Sequence, residues 1–286
     1  MSIKFGRSYR LTIEFDDGTP PIVLGLPFTM QFTVNRKIFS SLNTCYVDVF
    51  NLGPKIREMI FQEPMVTRNK TLTLEAGYDE LVTIFKGSIY QASSYREGTE
   101  IITSIECLSG QWQVNTATVY QTLNKGQTLG DIFKFLSGQL PGLTVGAIGD
   151  FSEKLERPVV LNGNVWEIFK RYSGNKVHID NQRVYVLKNN EAVQGAISVI
   201  SLDSGILQTP KRSGGFINLS TMFEPRVQIE QQVSLVSTVS PIYNGTYKVA
   251  GIQHTGTISE AVGGDCRTVL DLWVGNQTFK TVVSNG

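Results

Sequence analysis

A two-residue rhythm restricts this chain more than any other feature. In PFTMQFTVNRK the residues Phe28, Met30, Phe32 and Val34 alternate with Thr29, Gln31 and Thr33. Successive side chains of a strand point to opposite faces, so the alternation predicts a strand with one buried and one wet face. NTCYVDVFNL repeats the rhythm, with Cys45, Val47 and Val49 against Tyr46, Asp48 and Phe50, and it places Asp48 on the less buried face. RLTIEF ends in the turn Asp16-Asp17-Gly18. KTLTLEAGY, TIFKGSIYQASSYRE and TEIITSIECLSG follow, the last two joined at Glu97-Gly98. GPKIREMIF breaks the rhythm briefly, with Ile56, Met59 and Ile60 at helical spacing after Gly53-Pro54. Six or so antiparallel strands with one helical link predict a small barrel or sandwich.

The period changes near the middle. In TLGDIFKFLSGQLPG, Thr128 is placed as an N-cap with Asp131 at the third position. Leu129, Ile132, Phe133, Leu136 and Leu140 share one helical face, and Pro141-Gly142 closes the segment. The stretch from Gly163 to Asn189 repeats the design: Asn164 caps, Glu167 sits third, Trp166, Phe169 and Tyr172 share a face, and Gly174 is set for a left-handed stop. KVHID and RVYVLK then form a hairpin around Asn181-Gln182. Alternation returns in AISVISLDSGIL, INLSTMF, QVSLVSTVSPIY, YKVAGIQHTGTI and CRTVLDLWVG, with an exposed tip at Lys211 to Gly215 and turns at Asn244-Gly245 and Gly263-Gly264. Asn-Gly between alternating segments is a strong hairpin signal. The expected fold is mainly β with a small α+β insert: a β-domain over 1–118, a helix-and-hairpin domain over 119–194 and a second β-domain over 195–286.

Composition narrows the function. A chain of 286 residues holds two or three cores at about 100–200 residues per core. A formal charge of +1 lacks the basic excess that nucleic-acid grip requires. MSIKFGRSYRLTIEF has no long apolar core or small-residue cleavage site and reads as no signal peptide; no apolar run spans a bilayer. Cys45, Cys107 and Cys266 are odd in number and far apart, and read as buried thiols in a reducing compartment. His178 and His254 fall in different domains without acids or cysteines at metal spacing; His178 reads as a surface residue and His254 as a strand residue bonded to nearby backbone. No nucleophile, zinc or phosphate-loop motif is present, and the pairs Asp16/Asp17 and Asp79/Glu80 fall in turns. Trp112, Trp166 and Trp273 are scattered, with Trp166 on a helix's apolar face. The reading therefore assigns no catalytic, cofactor-binding or metal residue, no cofactor and no enzymatic activity.

Several stretches resemble the baseplate hub, or tail hub, proteins of long-tailed bacteriophages. They are TCYVDVFNL with GPKIREMI; TLTLEAGYDE with TIFKGSIYQASSYREGTEIITSIECLSG; TLGDIFKFLSGQLPGL; NVWEIFKRYSGNKVHIDNQRVYVLKNN; and SLDSGILQTPKRSGGFINLSTMFEPRVQIEQQVSLVS with NGTYKVAGIQHTGT. Each is weak alone, but their order and spacing run through nearly the whole chain. Phe223-Glu224-Pro225 departs from the Leu expected before the "x-P" corner, and no needle or oligosaccharide-binding barrel follows Trp273. The resemblance implies two tail-tube-like β-barrel or sandwich domains per chain and a homotrimer that matches a sixfold tail tube to a threefold spike. It implies as partners the tail tube or distal tail protein, a separate trimeric spike protein, the tape-measure protein and other baseplate proteins. DNA would pass through the lumen without specific binding. The location implied is the virion's tail tip or baseplate, after assembly in the host cytoplasm. Tail type stays open, as does a contractile secretion machine in place of a phage. So do two other functions: a receptor- or carbohydrate-binding β-module at the tail tip, and a cell-wall hydrolase.

Overall fold

The computed structural model describes residues 6–40, 42–64, 69–260, 264–275 and 278–284. Met1 to Phe5 of the opening stretch and Gly263 of the Gly263-Gly264 turn lie outside them. Strands hold 51% of the described residues and helices 13%, so the fold is mainly β. The first third contains β1 (Ser8–Phe15), β2 (Ile22–Gly25), β3 (Met30–Lys37), β4 (Thr44–Phe50), α1 (Pro54–Ile60), β5 (Lys70–Gly77), β6 (Leu81–Glu97) and β7 (Glu100–Leu108). The middle contains α2 (Gln111–Thr116), β8 (Thr118–Leu123), α3 (Leu129–Gly138), β9 (Thr144–Ile148), β10 (Val159–Asn164), α4 (Val165–Ser173), β11 (Val177–Asp180), β12 (Arg183–Val186) and β13 (Glu191–Val193). The last third contains β14 (Ser198–Ser201), β15 (Lys211–Ser213), β16 (Phe216–Met222), β17 (Gln232–Val236), β18 (Gly245–Ile258), β19 (Cys266–Trp273) and β20 (Lys280–Val282).

Strands from both ends of the chain join in one 13-stranded sheet, with the order β15-β16-β19-β18-β3-β4-β7-β6-β5-β1-β2, β17 attached to β18 and β14 to β17. Antiparallel pairing of β3 with β18, from Met30 opposite Ile258 to Lys37 opposite Gly251, makes the sheet continuous. Two long strands hand over their partners along their length. β6 pairs with β5 through Leu81–Ser88 and with β7 from Ser88 onward, with a bulge between Ile89 and Gln91. β18 pairs with β17 up to Lys248 and with β3 from Gly251, with a bulge between Val249 and Gly251 against β19. A bulge adds one residue and bends its strand, so each long strand can serve two neighbours.

The apolar phase of the strands builds the cores. Met30, Phe32, Val34, Cys45, Val47 and Val49 are buried in the first, as their alternation requires. This core also takes in Phe223, Ile258 and Cys266 from the last third of the chain. Another core forms around Leu219, Val233, Leu235, Val249, Ile252, Leu270 and Leu272. The helices close a separate core of Ile132, Phe133, Leu136, Leu140, Trp166, Phe169, Ile179 and Val184. Both sequence-read helix caps are present. Thr128 and Asp131 form a reciprocal capping box, and Asn164 accepts the Glu167 amide at 3.1 Å. Gly174 ends α4 at φ 62°, where a side chain would be strained. The turn at Asn181-Gln182 has φ 49° and 58°, the paired left-handed geometry of a two-residue hairpin.

One turn differs from expectation. Asn244 has φ −66°, and a 3₁₀ turn over Pro241–Tyr243 precedes it, so Asn244-Gly245 ends a longer loop between β17 and β18. Its side chain instead accepts the Ser237 amide at 2.6 Å and closes that loop.

Candidate functional site

Three bodies of structure meet at a buried polar joint. β3 continues its inward phase past Val34 to Arg36, whose side chain is 0% exposed. Arg36 binds Asp180 at the β11–β12 turn through two bonds, Nε to Oδ1 at 2.8 Å and Nη2 to Oδ2 at 2.5 Å. It also donates to Gln228 Oε1 at 2.7 Å. Asn43 completes the cluster by donating to Asp180 Oδ1 at 3.0 Å and to the Ile179 carbonyl at 3.2 Å. Asp180 is thus held by residues from the first third, while Gln228 attaches the last third to the same guanidinium. The fork of Arg matches a carboxylate in one plane, so the joint fixes an angle as well as a distance.

A second buried group extends the joint. Glu230, at φ 65°, pairs with Lys248 at 3.0 Å and lies 3.9 Å from His178 Nε2. Its amide donates to the Val249 carbonyl and its carbonyl accepts from Val193, which holds this strained backbone in place. Lys248 also donates to the Glu191 carbonyl at 3.0 Å. The Glu191 carboxylate accepts the amides of Asp150 and Lys188. The hairpin tip docks on β6, where Asn181 accepts the Lys86 amide at 2.9 Å. Gly110 allows close approach beside it: a Cβ there would stand 2.6 Å from Ile179 Cδ1.

The residues singled out in the sequence fall as follows. His178 is 1% exposed, which corrects the surface reading. All four residues of β11 are buried, because Val177 and Ile179 pack on the helical core while His178 and Asp180 face the polar joint. The His178 ring also stacks on Tyr185. His254 bonds a side chain and not backbone: its Nδ1 lies 2.9 Å from Thr268 Oγ1. Cys45, Cys107 and Cys266 are free and buried, and burial pushes all three thiols up. Trp166 is in the helical core, whereas Trp273 joins Phe216 and the exposed Phe39 in an aromatic group. Asp16 and Asp17 accept the amides of Asn69 and Thr19, so they act as turn residues. Lys211 and Arg212 lie on the exposed edge strand β15.

Chemically this joint is a clamp. His178, Glu230 and Lys248 have the residue types of an acid–base site, but each is at most 3% exposed, and no substrate could reach them. Burial depresses both histidines, His178 despite the opposing pull of Glu230 and Asp180, and His254 down to about 3. The unfolded chain, with ordinary histidine pKa near 6.5, binds more protons over this window. Stability from the neutral rings is therefore complete above about pH 6.5 and is lost as pH falls toward 3. Denaturant midpoints measured from pH 7 to pH 4 should fall with pH, and His254→Gln should reduce that slope. An unchanged slope would contradict the burial described.

The comparisons follow the same architecture. A family model, Baseplate hub gp41, matches residues 9–256. No curated protein sequence matches significantly. The 43 kDa tail protein of prophage MuSo2 from Shewanella oneidensis shares the fold at TM-score 0.61 and 9% identity, over 92% of this chain and 97% of that one. A tail protein from Neisseria meningitidis MC58 matches at TM-score 0.61 and 8% identity, over 96% and 100% of the respective chains. The E. coli c3393 protein, described as a type VI secretion component similar to T4 tail proteins gp27 and gp5, matches at 0.55 and 8%, over 93% and 78%. The chain belongs to the baseplate hub gp41 family and is a β-rich structural protein of the bacteriophage tail.

Proposed function

We propose that three copies of this chain close into a ring that joins a sixfold tail tube to a threefold central spike. In this reading residues 1–118 and 195–286 are tube-type β-domains, and residues 119–194 are the connecting domain. Two such domains per chain and three chains give six similar units, while the chains themselves keep threefold order. The observation that carries the proposal is the placement of two β-rich cores on one continuous sheet. The parallel roles of β6 and β18 support it, since each is a long bulged strand shared between successive partners. Among the described residues, the strands β2 and β15 at the two ends of the main path pair on one side only. Open edges favour pairing with another chain, and a head-to-tail ring covers them.

The remaining parts of the proposal follow from that position. The ring would meet the tail tube or distal tail protein on one side and a separate trimeric spike on the other, with the tape-measure protein in the bore and other baseplate proteins outside. DNA would pass the lumen during ejection without specific binding, since a bore of low positive charge releases few counterions. The protein would assemble in the host cytoplasm and reside at the tail tip of the virion.

Light scattering on the purified chain tests the assembly. The expected mass is about 95 kDa, three times the 31.7 kDa chain, and a monomer at all concentrations would contradict the ring. The aromatic group of Phe39, Phe216 and Trp273 favours a second reading, recognition of a receptor or carbohydrate at the tail tip. Glycan binding by a monomer would support that reading instead.

A further inference from the structure

A groove of about 550 Å³ lies between the Tyr78–Glu80 turn, the strand β14 with Asp203 and Ser204, and the corner Glu224–Arg226. Its walls carry four carboxylates, from Asp79, Glu80, Asp203 and Glu224, and one guanidinium, from Arg226. Arg226 is already paired with Glu80 at 3.2 Å, and Arg7 approaches near Tyr78. Asp79 and Asp203 are exposed and have no ion-pair partner among the described residues.

The groove is bounded by an open strand. β14 runs parallel to β17 and has no other strand partner among the described residues. Ser201 turns its backbone away from β17, donating to Ser204 Oγ at 2.6 Å and accepting from the Ile206 amide at 3.2 Å. Backbone groups two residues apart on a strand face the same edge, so Val199 also offers its N–H and carbonyl to the open side. The Val199 side chain is 56% exposed, with Ile197 and Leu202 exposed nearby. A natural sheet blunts an edge with lysine or proline; this one carries an apolar residue and an acidic surround.

We infer that the groove takes a basic, extended segment of another polypeptide, added as a strand to β14. Backbone bonds to Val199 would set the register, Val199 would meet an alternate apolar side chain, and lysines or arginines would face Asp79 and Asp203. The inference goes beyond the ring, and it can fail while the ring stands.

The probe is a fluorescent synthetic peptide alternating lysine and valine, titrated into the full chain at physiological salt with anisotropy as the readout. Saturable binding is expected. Asp79→Asn with Asp203→Asn should weaken it about tenfold, as should Val199→Pro, each corresponding to about 1.4 kcal/mol. Proline on an open edge removes an outward N–H without touching the β17 ladder. A peptide N-methylated at alternate residues, which cannot add as a strand, should not bind; this arm does not depend on the folding of any variant. Failure to saturate, equal binding of the methylated peptide, or equal binding of a glutamate–valine peptide would overturn the inference. Light scattering on the same samples reads the oligomer separately. If Val199→Pro broke the trimer, the edge would belong to a second copy and the inference would also fall.

Discussion

Asp180→Ala should destabilise the protein by about 3–5 kcal/mol, because it strands a guanidinium that is 0% exposed. The large effect comes from the charge left behind, since taking ions out of water costs several kcal/mol each before pairing offsets it. Asn43 would lose its acceptor on Asp180 at the same time. The double change Arg36→Met with Asp180→Leu should recover only part of the loss, because Asn43 and Gln228 still lose partners. A double-mutant cycle by urea denaturation would read the coupling, expected at about 0.5–3 kcal/mol. A cost below about 1 kcal/mol for Asp180→Ala would mean that the pair is solvated and the joint is not closed.

Phe223→Ala should cost a similar amount, about 3–5 kcal/mol, for a different reason. Phe223 follows β16 in the last third of the chain, yet its ring sits in the first core, 5.9 Å from Phe32, 6.1 Å from Tyr78 and 5.4 Å from His254. The Tyr78 hydroxyl donates to the Phe223 carbonyl at 3.0 Å, which fixes the corner as well as the ring. Removing the ring leaves a cavity that the surrounding sheet cannot close, whereas Phe223→Leu keeps most of the volume and should cost less. Calorimetry should still show one transition, shifted down, because a shared sheet couples the two β-rich ends. Two separate transitions, with only one of them shifted, would show the ends to be independent.

The position of Phe223 also gives the Phe-Glu-Pro departure from the hub pattern a physical sense. A leucine there would fill the same core with less volume. The aromatic ring reaches three neighbours that belong to distant parts of the sequence.

Local signals were legible in the sequence and long-range ones were not. The alternation of Met30, Phe32 and Val34 predicts their burial, and the caps at Thr128 and Asn164 sit where the residue spacing puts them. The same rhythm, continued two residues further, places Arg36 in the buried phase. That was the available signal for the joint, and a charged side chain masks it. His178 departs from the surface expectation because VHID shows a strand's alternation only when one face is wet; here helices cover one face and the polar joint the other. Asn244-Gly245 carries the letters of a tight hairpin, but the loop is set by Pro241 and by the Asn244 side chain holding Ser237. The weaker letters Asn181-Gln182 make the tight turn, since β11 and β12 pair up to Asp180 and Arg183. No local feature announces that β3 pairs with β18, more than two hundred residues away.

Electron cryomicroscopy of the tail end tests the central claim most directly. The account predicts three copies in a closed annulus between tube and spike, each presenting both β-rich ends to the channel wall. Copies found only as a peripheral decoration, or with one β-rich end outside that wall, would contradict it.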